Sequence, residues 1–339
     1  MTGRLARKLI RRSTRFPGFR FRTGRRFLTV RMDTTNRCNL RCRMCPMRLA
    51  DNDPNREWAD IDPGLFRKIA REVFPLAGTV GLSCGAEPFC NEVFPEYLED
   101  LYRADVPVRE VVTNGTLMGE DEISALLRTP PTSLTVSIDG ARPETHALIR
   151  GGADLQKVLS AVEELVRLRN AGGKKFPMVS FSFTLQRSNL RELPDVVELA
   201  FRTGAVSVGV VPLVPYRGLE MSGQVVDMNS EQATATLKQA RSTAGRLGIR
   251  LVEAAPEDGD GGCPYLADWV YIDPQGRVNP CPYWDTSRPL GRLSERSFSE
   301  IWRGEAYRSL RESVNQGRLT GNCAECPVNS SGNTEIRKS

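Results

Sequence analysis

Cys38, Cys42 and Cys45 stand in C-x3-C-x2-C spacing, in a polar loop that follows the strand-like run 27–32. Three close thiols rarely serve packing alone. A [4Fe–4S] cube has four irons, so three thiolates leave one iron open to a ligand that is not cysteine, as a reactive cluster needs and an electron store does not. The spacing favours that reading over a zinc site short of a fourth ligand, or coincidence among nine cysteines.

Four more thiols follow late in the chain: Cys263, then Gly276-x4-Cys281, then Cys323-Ala324-Glu325-Cys326. Four is the complement of a fully coordinated cube or of tetrahedral zinc, and the residues alone leave both open. Cys84 and Cys90 remain, flanking Gly85-Ala86-Glu87-Pro88. Free cysteine is among the most buried residue types, so packing is their expected role, with donation of a hydrogen atom or proton the functional alternative.

The C-x3-C-x2-C loop resembles the signature of the radical S-adenosylmethionine (SAM) superfamily. That resemblance implies that SAM chelates the open iron through its amino and carboxylate groups. It further implies that one electron cleaves SAM to methionine and a 5′-deoxyadenosyl radical, which takes a hydrogen atom from substrate. Met44 stands where relatives often carry an aromatic residue, and it still packs against an adenine. Gly85-Ala86-Glu87-Pro88 is similar to the family's Gly-Gly-Glu-Pro turn, whose backbone and acid receive the SAM ammonium; Ala86 departs from it and weakens the contact at that position. Thr113-Asn114-Gly115 resembles a structural turn of relatives and is assigned no chemistry. By the same resemblance Ser137 meets the ribose side of SAM and Arg150 its carboxylate, a pairing suited to a guanidinium. Asp139 reads equally as a helix cap, and His146, the one histidine, as a satisfied structural residue. Gln186, Asn189 and Val211 are set at the edge of the nucleoside pocket by position alone.

The order and spacing of Cys263, Cys281, Cys323 and Cys326 look like the twitch appendage, a shortened SPASM domain holding one auxiliary [4Fe–4S] cluster. A second auxiliary cluster needs further cysteines. Some full-length SPASM relatives carry an Asp base directly after the cysteine matching Cys281; here it is Pro282, so Asp285 is only a substitute candidate. Arg217, Cys84 and Cys90 are the other catalytic candidates, and none is assigned. The resemblance also implies a reducing partner such as a flavodoxin or ferredoxin.

The elements that must position these groups alternate strand and helix. Runs 27–32, 79–83, 108–113, 133–138, 178–185 and 206–211 are short and rich in β-branched residues. Asp62-Pro63 opens one helix, and Asp154 caps another that carries Leu155, Val158, Leu159, Val162, Leu165 and Val166 on one face. The six units predict an α/β fold, a partial (β/α)6 TIM-type barrel, with chemistry at the carboxyl ends of its strands. Beyond Pro212 come a helix capped by Ser230, a short strand 249–253, a hairpin around Pro274-Gln275-Gly276 and a helix from Ser297 to about 316. They predict a small α+β iron–sulfur subdomain. The expected division is a basic leader 1–26, a radical SAM core 27–247, an auxiliary-cluster domain 248–328 and a flexible tail 329–339.

The formal charge of +6 is uneven: ten of the 47 Lys and Arg fall in 1–26 with no acid among them, which leaves about −4 for the rest. Such a leader suits a membrane surface, an RNA or an acidic peptide, but a solvated tail is the expected case and nucleic acid is not the expected partner. No apolar run approaches the roughly 20 residues of a membrane span. Arg25-Arg26-Phe27-Leu28 is no export signal, because Arg31 and Asp33 interrupt any apolar core after it. Grouped cysteines without a secretory signal point to a reduced cytosol.

The expected function is therefore oxidative modification of a peptide or small natural-product substrate by a radical SAM enzyme, the auxiliary cluster accepting the substrate electron. Two rivals stand beside it: a zinc-stapled binding protein with a nucleic-acid-binding arm, and an inactive relative that keeps its clusters for electron transfer.

Overall fold

The computed structural model describes residues 26–50, 57–216, 218–253, 263, 265–319, 321–324 and 326. The expected leader apart from Arg26, the candidate Arg217, the acidic, glycine-rich run 257–262 that leads to Cys263, and the expected tail lie outside the described residues.

Ten strands form one sheet: β1 (Leu28–Met32), β2 (Ala77–Gly81), β3 (Val108–Thr113), β4 (Ser133–Ser137), β5 (Met178–Leu185), β6 (Ser207–Pro212), β7 (Arg250–Glu253), β8 (Trp269–Ile272), β9 (Arg277–Asn279) and β10 (Gly291–Arg292). Their spatial order is β10-β9-β8-β1-β2-β3-β4-β5-β6-β7. From β1 to β7 every pairing is parallel. Parallel neighbours need crossovers, and helices supply them: α1 (Met47–Ala50), α2 (Pro63–Glu72), α3 (Phe94–Arg103), α4 (Glu120–Arg128), α5 (Pro143–Ile149), α6 (Leu155–Ala171), α7 (Leu193–Thr203) and α8 (Glu231–Leu247). The result is the mixed α/β partial barrel expected from the alternation.

Local chemistry explains the helix starts. Asp62 Oδ1 accepts from Leu65 N at 2.8 Å, Asp154 Oδ1 from Lys157 N at 3.2 Å and Ser230 Oγ from Ala233 N at 3.3 Å. The apolar stripe of α6 faces the core as its spacing predicts, with Val158, Val162 and Leu165 fully buried. Strand interiors such as Val30, Val80, Val136 and Val208 are likewise fully buried, as expected of strands covered on both faces.

Two connections differ from the sequence expectation. β7, read as opening the appendage, pairs with β6 in register Ser207↔Arg250 to Val210↔Glu253 and so extends the barrel sheet. The helix expected from Ser297 to about 316 is two, α9 (Phe298–Trp302) and α10 (Glu305–Asn315). Its capping box at Ser297 and Glu300 is present, but the chain turns at Gly304, where a Cβ would lie 2.8 Å from the Glu300 carbonyl oxygen.

The β8–β9 hairpin forms as expected, and β8 then pairs in parallel with β1, Thr29↔Trp269 to Met32↔Ile272. Backbone hydrogen bonds thus bind the last quarter of the chain to the first barrel strand. Gly276 takes φ 72° in the hairpin turn against Leu65, a conformation that favours glycine. Among the described residues, no helix is long and apolar enough to cross a membrane.

Candidate active site

The carboxyl ends of β1 to β6 carry the polar groups. Asp33, directly after β1, is buried. Its Oδ1 accepts from Cys84 N at 2.6 Å and Gly85 N at 3.1 Å, and its Oδ2 from the Tyr271 hydroxyl at 2.8 Å. Burial pushes the carboxyl up and these donors pull it down. Asp33 therefore pins the turn after β2 to β8, a role the sequence reading missed. Its only signal is an acid at the point where a buried strand leaves the sheet.

Glu87, in that turn, is also buried, and burial pushes its carboxyl up to about 7. Oε1 accepts from Thr113 Oγ1 and Oε2 from Asn114 N, each at 2.7 Å. The Thr113-Asn114 pair, expected to be a structural turn alone, thus holds the acid. Asn114 Nδ2 donates to Asn39 Oδ1 at 2.9 Å and lies 4.0 Å from Cys38 Sγ, joining the Glu87 turn to the thiol loop.

The structure brings Cys38, Cys42 and Cys45 together: burial is the largest influence on each thiol, Cys38 also feels Cys42, and Cys45 feels both of the others. Cys42 is buried, while Cys38 and Cys45 are half-buried. The loop is held by Arg43 N donating to Ile149 O at 2.9 Å and by Gly151, at φ 64°, whose missing Cβ leaves room for the Arg41 carbonyl. Cys90 is half-buried beside Glu87 and Cys38 and accepts from the Asn39 N–H, a positioning contact.

Arg150 reaches this loop from the other side. Its Nε lies 2.5 Å from Asp139 Oδ2 and its Nη1 3.9 Å from Cys42 Sγ. Asp139 is not a helix cap: Arg142 stands at the N-cap of α5 and no side chain caps it, and Asp139 Oδ1 instead accepts from Thr184 N at 2.6 Å. His146 is fully buried, accepts from Asp139 N at 3.3 Å through Nδ1, and is pushed down to about 4 by burial and then by Arg150. It is buried as expected but only half satisfied, since its Nε2 has no hydrogen-bond partner among the described residues.

Of the remaining expected contacts, Met44 and Ala86 are half-buried, Gly85 is exposed, Ser137 is buried at the end of β4, and Val211 is exposed on β6. Gln186, past β5, is buried, and its Nε2 has no hydrogen-bond partner among the described residues. Asn189 Oδ1 takes the Gln186 N–H at 2.8 Å.

Cys263, Cys281, Cys323 and Cys326 line one cavity together with Tyr265, Tyr283 and Trp284. Burial and then the three other thiols push Cys281 up to about 12. Among the described residues, no three His, Cys, Asp or Glu side chains converge as one metal ion requires.

Cys84, Tyr216 and Tyr283 all lie within electrostatic reach of Cys281. Burial pushes the Tyr216 hydroxyl well up, and Tyr283, Cys84, Cys45 and Cys281 add to it, so this hydroxyl feels a thiol of each group. The Tyr216 and Tyr283 rings stack at 6.2 Å. Cys84 is exposed as a residue, while burial and then Asp33 push its thiol up to about 12. Asp285 is exposed, and its Oδ1 accepts from Ser287 N at 2.9 Å in its own turn. Sequence reasoning missed both tyrosines, because nothing local marks a ring that meets its partner across a domain junction.

Residues 32–200 match the Radical SAM superfamily, and residues 263–327 match the SPASM iron-sulfur cluster-binding domain. The chain is 29% identical to the AdoMet-dependent heme synthase of Methanosarcina barkeri, over 88% of this chain and 87% of that protein. It is 25% identical to the PqqA peptide cyclase of Rhodopseudomonas palustris, over 88% of this chain and 79% of that one. The structure of Streptococcus suis SuiB bound to S-adenosylmethionine superposes with a TM-score of 0.68 at 14% identity, covering 85% of this chain and 68% of SuiB, which is a likeness of fold. Barrel, thiol loop and cysteine-lined appendage agree with these matches: the chain belongs to the radical SAM superfamily and carries a SPASM-type iron–sulfur domain, a membership that implies [4Fe–4S] clusters and SAM as cofactors.

Proposed function

We propose that the chain is a radical SAM enzyme that oxidatively modifies a peptide or small natural-product substrate held between two clusters. Cys38, Cys42 and Cys45 hold the first cluster, and Cys263, Cys281, Cys323 and Cys326 hold a single auxiliary one. Bound there, the first cluster and SAM supply one-electron cleavage and a carbon radical that takes a hydrogen atom, and the auxiliary cluster supplies an acceptor for the substrate's electron.

The chain's own groups fit these cofactors. Three grouped thiols leave one iron open. A zinc ion would need its sulfurs within about 2.3 Å of one point, whereas a cavity with thiols around its wall suits a cube. The buried Gln186 Nε2, without a partner among the described residues, offers a donor to a nucleoside. Glu87, with Gly85 and Ala86 beside it, receives the SAM ammonium, and Arg150 and Ser137 orient the carboxylate and ribose. Met44 and Val211 border the adenine. The functional division is the expected one, leader 1–26, core from 27, auxiliary domain to 328 and tail 329–339, except that the core runs past the expected 247 to the end of β7 at Glu253. Electrons arrive from a partner such as a flavodoxin or ferredoxin.

The observation that carries this reading is the pair of thiol groups in one chain, three in the loop after β1 and four around one cavity, with the Tyr216 hydroxyl feeling Cys45 of one and Cys281 of the other. The names of the relatives, a heme synthase and a peptide cyclase, support a cofactor or peptide substrate. The test is anaerobic reconstitution. About eight irons per chain and 5′-deoxyadenosine on reduction with SAM are expected; two zincs and no cleavage would overturn the reading.

A further inference from the structure

We propose that the cavity lined by Phe27, Phe298, Trp302, Arg303, Arg308 and Arg311 is a docking site for an acidic polypeptide segment that carries an apolar anchor side chain. This cavity shares no lining residue with the one around the four thiols, and the inference goes beyond the function proposed above without resting on it.

Two distant parts of the chain build the wall. Phe27 stands directly before β1, whereas Phe298 and Trp302 lie on α9. Trp302 stacks on Phe298 at 5.7 Å and meets Phe27 at 6.2 Å. Tyr307 of α10 packs against the same indole at 4.8 Å, and the Arg311 guanidinium sits 4.1 Å from its centroid. These contacts brace a cavity of about 520 Å³, within the range of ligand pockets. Phe27 is 46% exposed, an apolar area that an incoming side chain would cover. Behind the wall lies the thiol cavity: Arg311 Nε donates to the Leu266 carbonyl at 3.1 Å, and Leu266 lines that cavity.

The charge of the lining has one sign. Arg303 and Arg308 are exposed, and neither side chain has a hydrogen bond or ion pair among the described residues. Arg311 spends Nε and Nη1 on the Leu266 and Trp302 carbonyls, and its Nη2 is buried without a hydrogen-bond partner among the described residues. Among those residues no acid lines the cavity. Of the acids close by in the chain or the fold, Glu72 Oε2 accepts from Phe298 N at 2.8 Å and Glu300 Oε2 from Ser297. The basic stretch 1–26 joins the described chain here, at Arg26 and Phe27, so its like charge argues against it as the occupant. Guanidinium groups that face no carboxylate of their own select carboxylates from a partner. A single-stranded nucleic acid would need successive open ring faces, whereas Trp302 is packed against Phe298, Tyr307 and Arg311. A bilayer is flat and does not enter a cavity, but a peptide side chain does.

The experiment uses the full reconstituted chain and fluorescence anisotropy with labelled peptides: Glu-Glu-Asp-Leu-Phe-Asp-Glu-Glu, the same peptide with Ser-Ser in place of Leu-Phe, and Lys-Lys-Lys-Leu-Phe-Lys-Lys-Lys. The first should bind, the second about tenfold more weakly for want of its anchor, and the third not at all. Arg303→Glu combined with Arg308→Glu should weaken the first peptide about tenfold or more, with iron content as in the wild type. Hydrogen exchange should slow in residues 298–311 on binding. No binding of the first peptide, equal binding of the second or third, unchanged affinity in the double variant, or protection confined to other segments overturns the inference. Tighter binding of an oligouridylate or of phosphatidylglycerol vesicles through the same two arginines also overturns it, since the surface would then serve RNA or a membrane. Should the double variant fail to fold by circular dichroism, Arg303→Gln with Arg308→Gln replaces it, and unchanged affinity is read in the same way. SAM cleavage by the wild type is measured alongside: its absence defeats the proposed function alone, and loss of peptide preference defeats this inference alone.

Discussion

The Arg150 guanidinium lies 3.9 Å from the Cys42 sulfur while its Nε holds the fully buried Asp139 at 2.5 Å. A cation beside a cluster thiolate stabilises the reduced, more negative state and so raises its potential. Arg150→Gln should lower the potential of the first cluster by tens of millivolts in an EPR-monitored titration. It should also destabilise the chain by about 3–5 kcal/mol, because Asp139 keeps a buried charge without its partner. Asp139→Asn in the same chain should restore most of the stability and part of the potential, because Asp139 also acts on the Cys42 thiol. An unchanged potential in Arg150→Gln would show that the guanidinium does not act on the sulfur.

Glu87 gives the cluster-free protein a pH dependence of definite sign. Burial raises its folded pKa to about 7, above the unfolded carboxyl value, so the folded chain binds a proton more tightly than the unfolded one between those values. Stability should therefore fall as pH rises from about 4.5 to about 7, by on the order of 3 kcal/mol from this group. Chemical denaturation of Glu87→Gln across that range should show the slope flattened. The same variant should bind SAM more weakly by about tenfold, since a charge-assisted contact to the ammonium is lost.

Asp33 and Tyr271 are separated by 238 residues and joined by one 2.8 Å bond. Asp33→Ala removes the acceptor for two backbone N–H groups and this hydroxyl, all in a buried setting, and should cost about 3 kcal/mol or more. Tyr271→Phe removes only one of those donors and should cost about 1 kcal/mol. If both variants unfold at the same denaturant concentration, Asp33 does not organise the turn after β2.

That separation also explains what could be read from the chain. The strands and the caps at Asp62, Asp154, Ser230 and Ser297 were legible because each depends on neighbours within a few residues. The thiol loop was legible because ligand spacing is itself local. Asp33, Tyr216 and Tyr283 were not, since their roles arise only when β8 docks on β1 and brings the appendage over the barrel. The pairing of β7 with β6 was hidden for the same reason, and the break at Gly304 because a single glycine inside a capped helical pattern does not announce a turn.

The two thiol groups should separate in their chemistry. Cys42→Ala removes one of three ligands from the cluster with the open iron, so both SAM cleavage and product should be lost, with about four irons remaining per chain. Cys281→Ala removes one of four ligands lining the second cavity, and SAM cleavage should persist while product does not form, because the substrate electron has no acceptor. The discriminating measurement is 5′-deoxyadenosine released per chain, with circular dichroism to confirm that each variant is folded. Equal loss of cleavage in two folded variants would mean that the appendage supports the first cluster rather than receiving the electron, and would return the four thiols to a structural role.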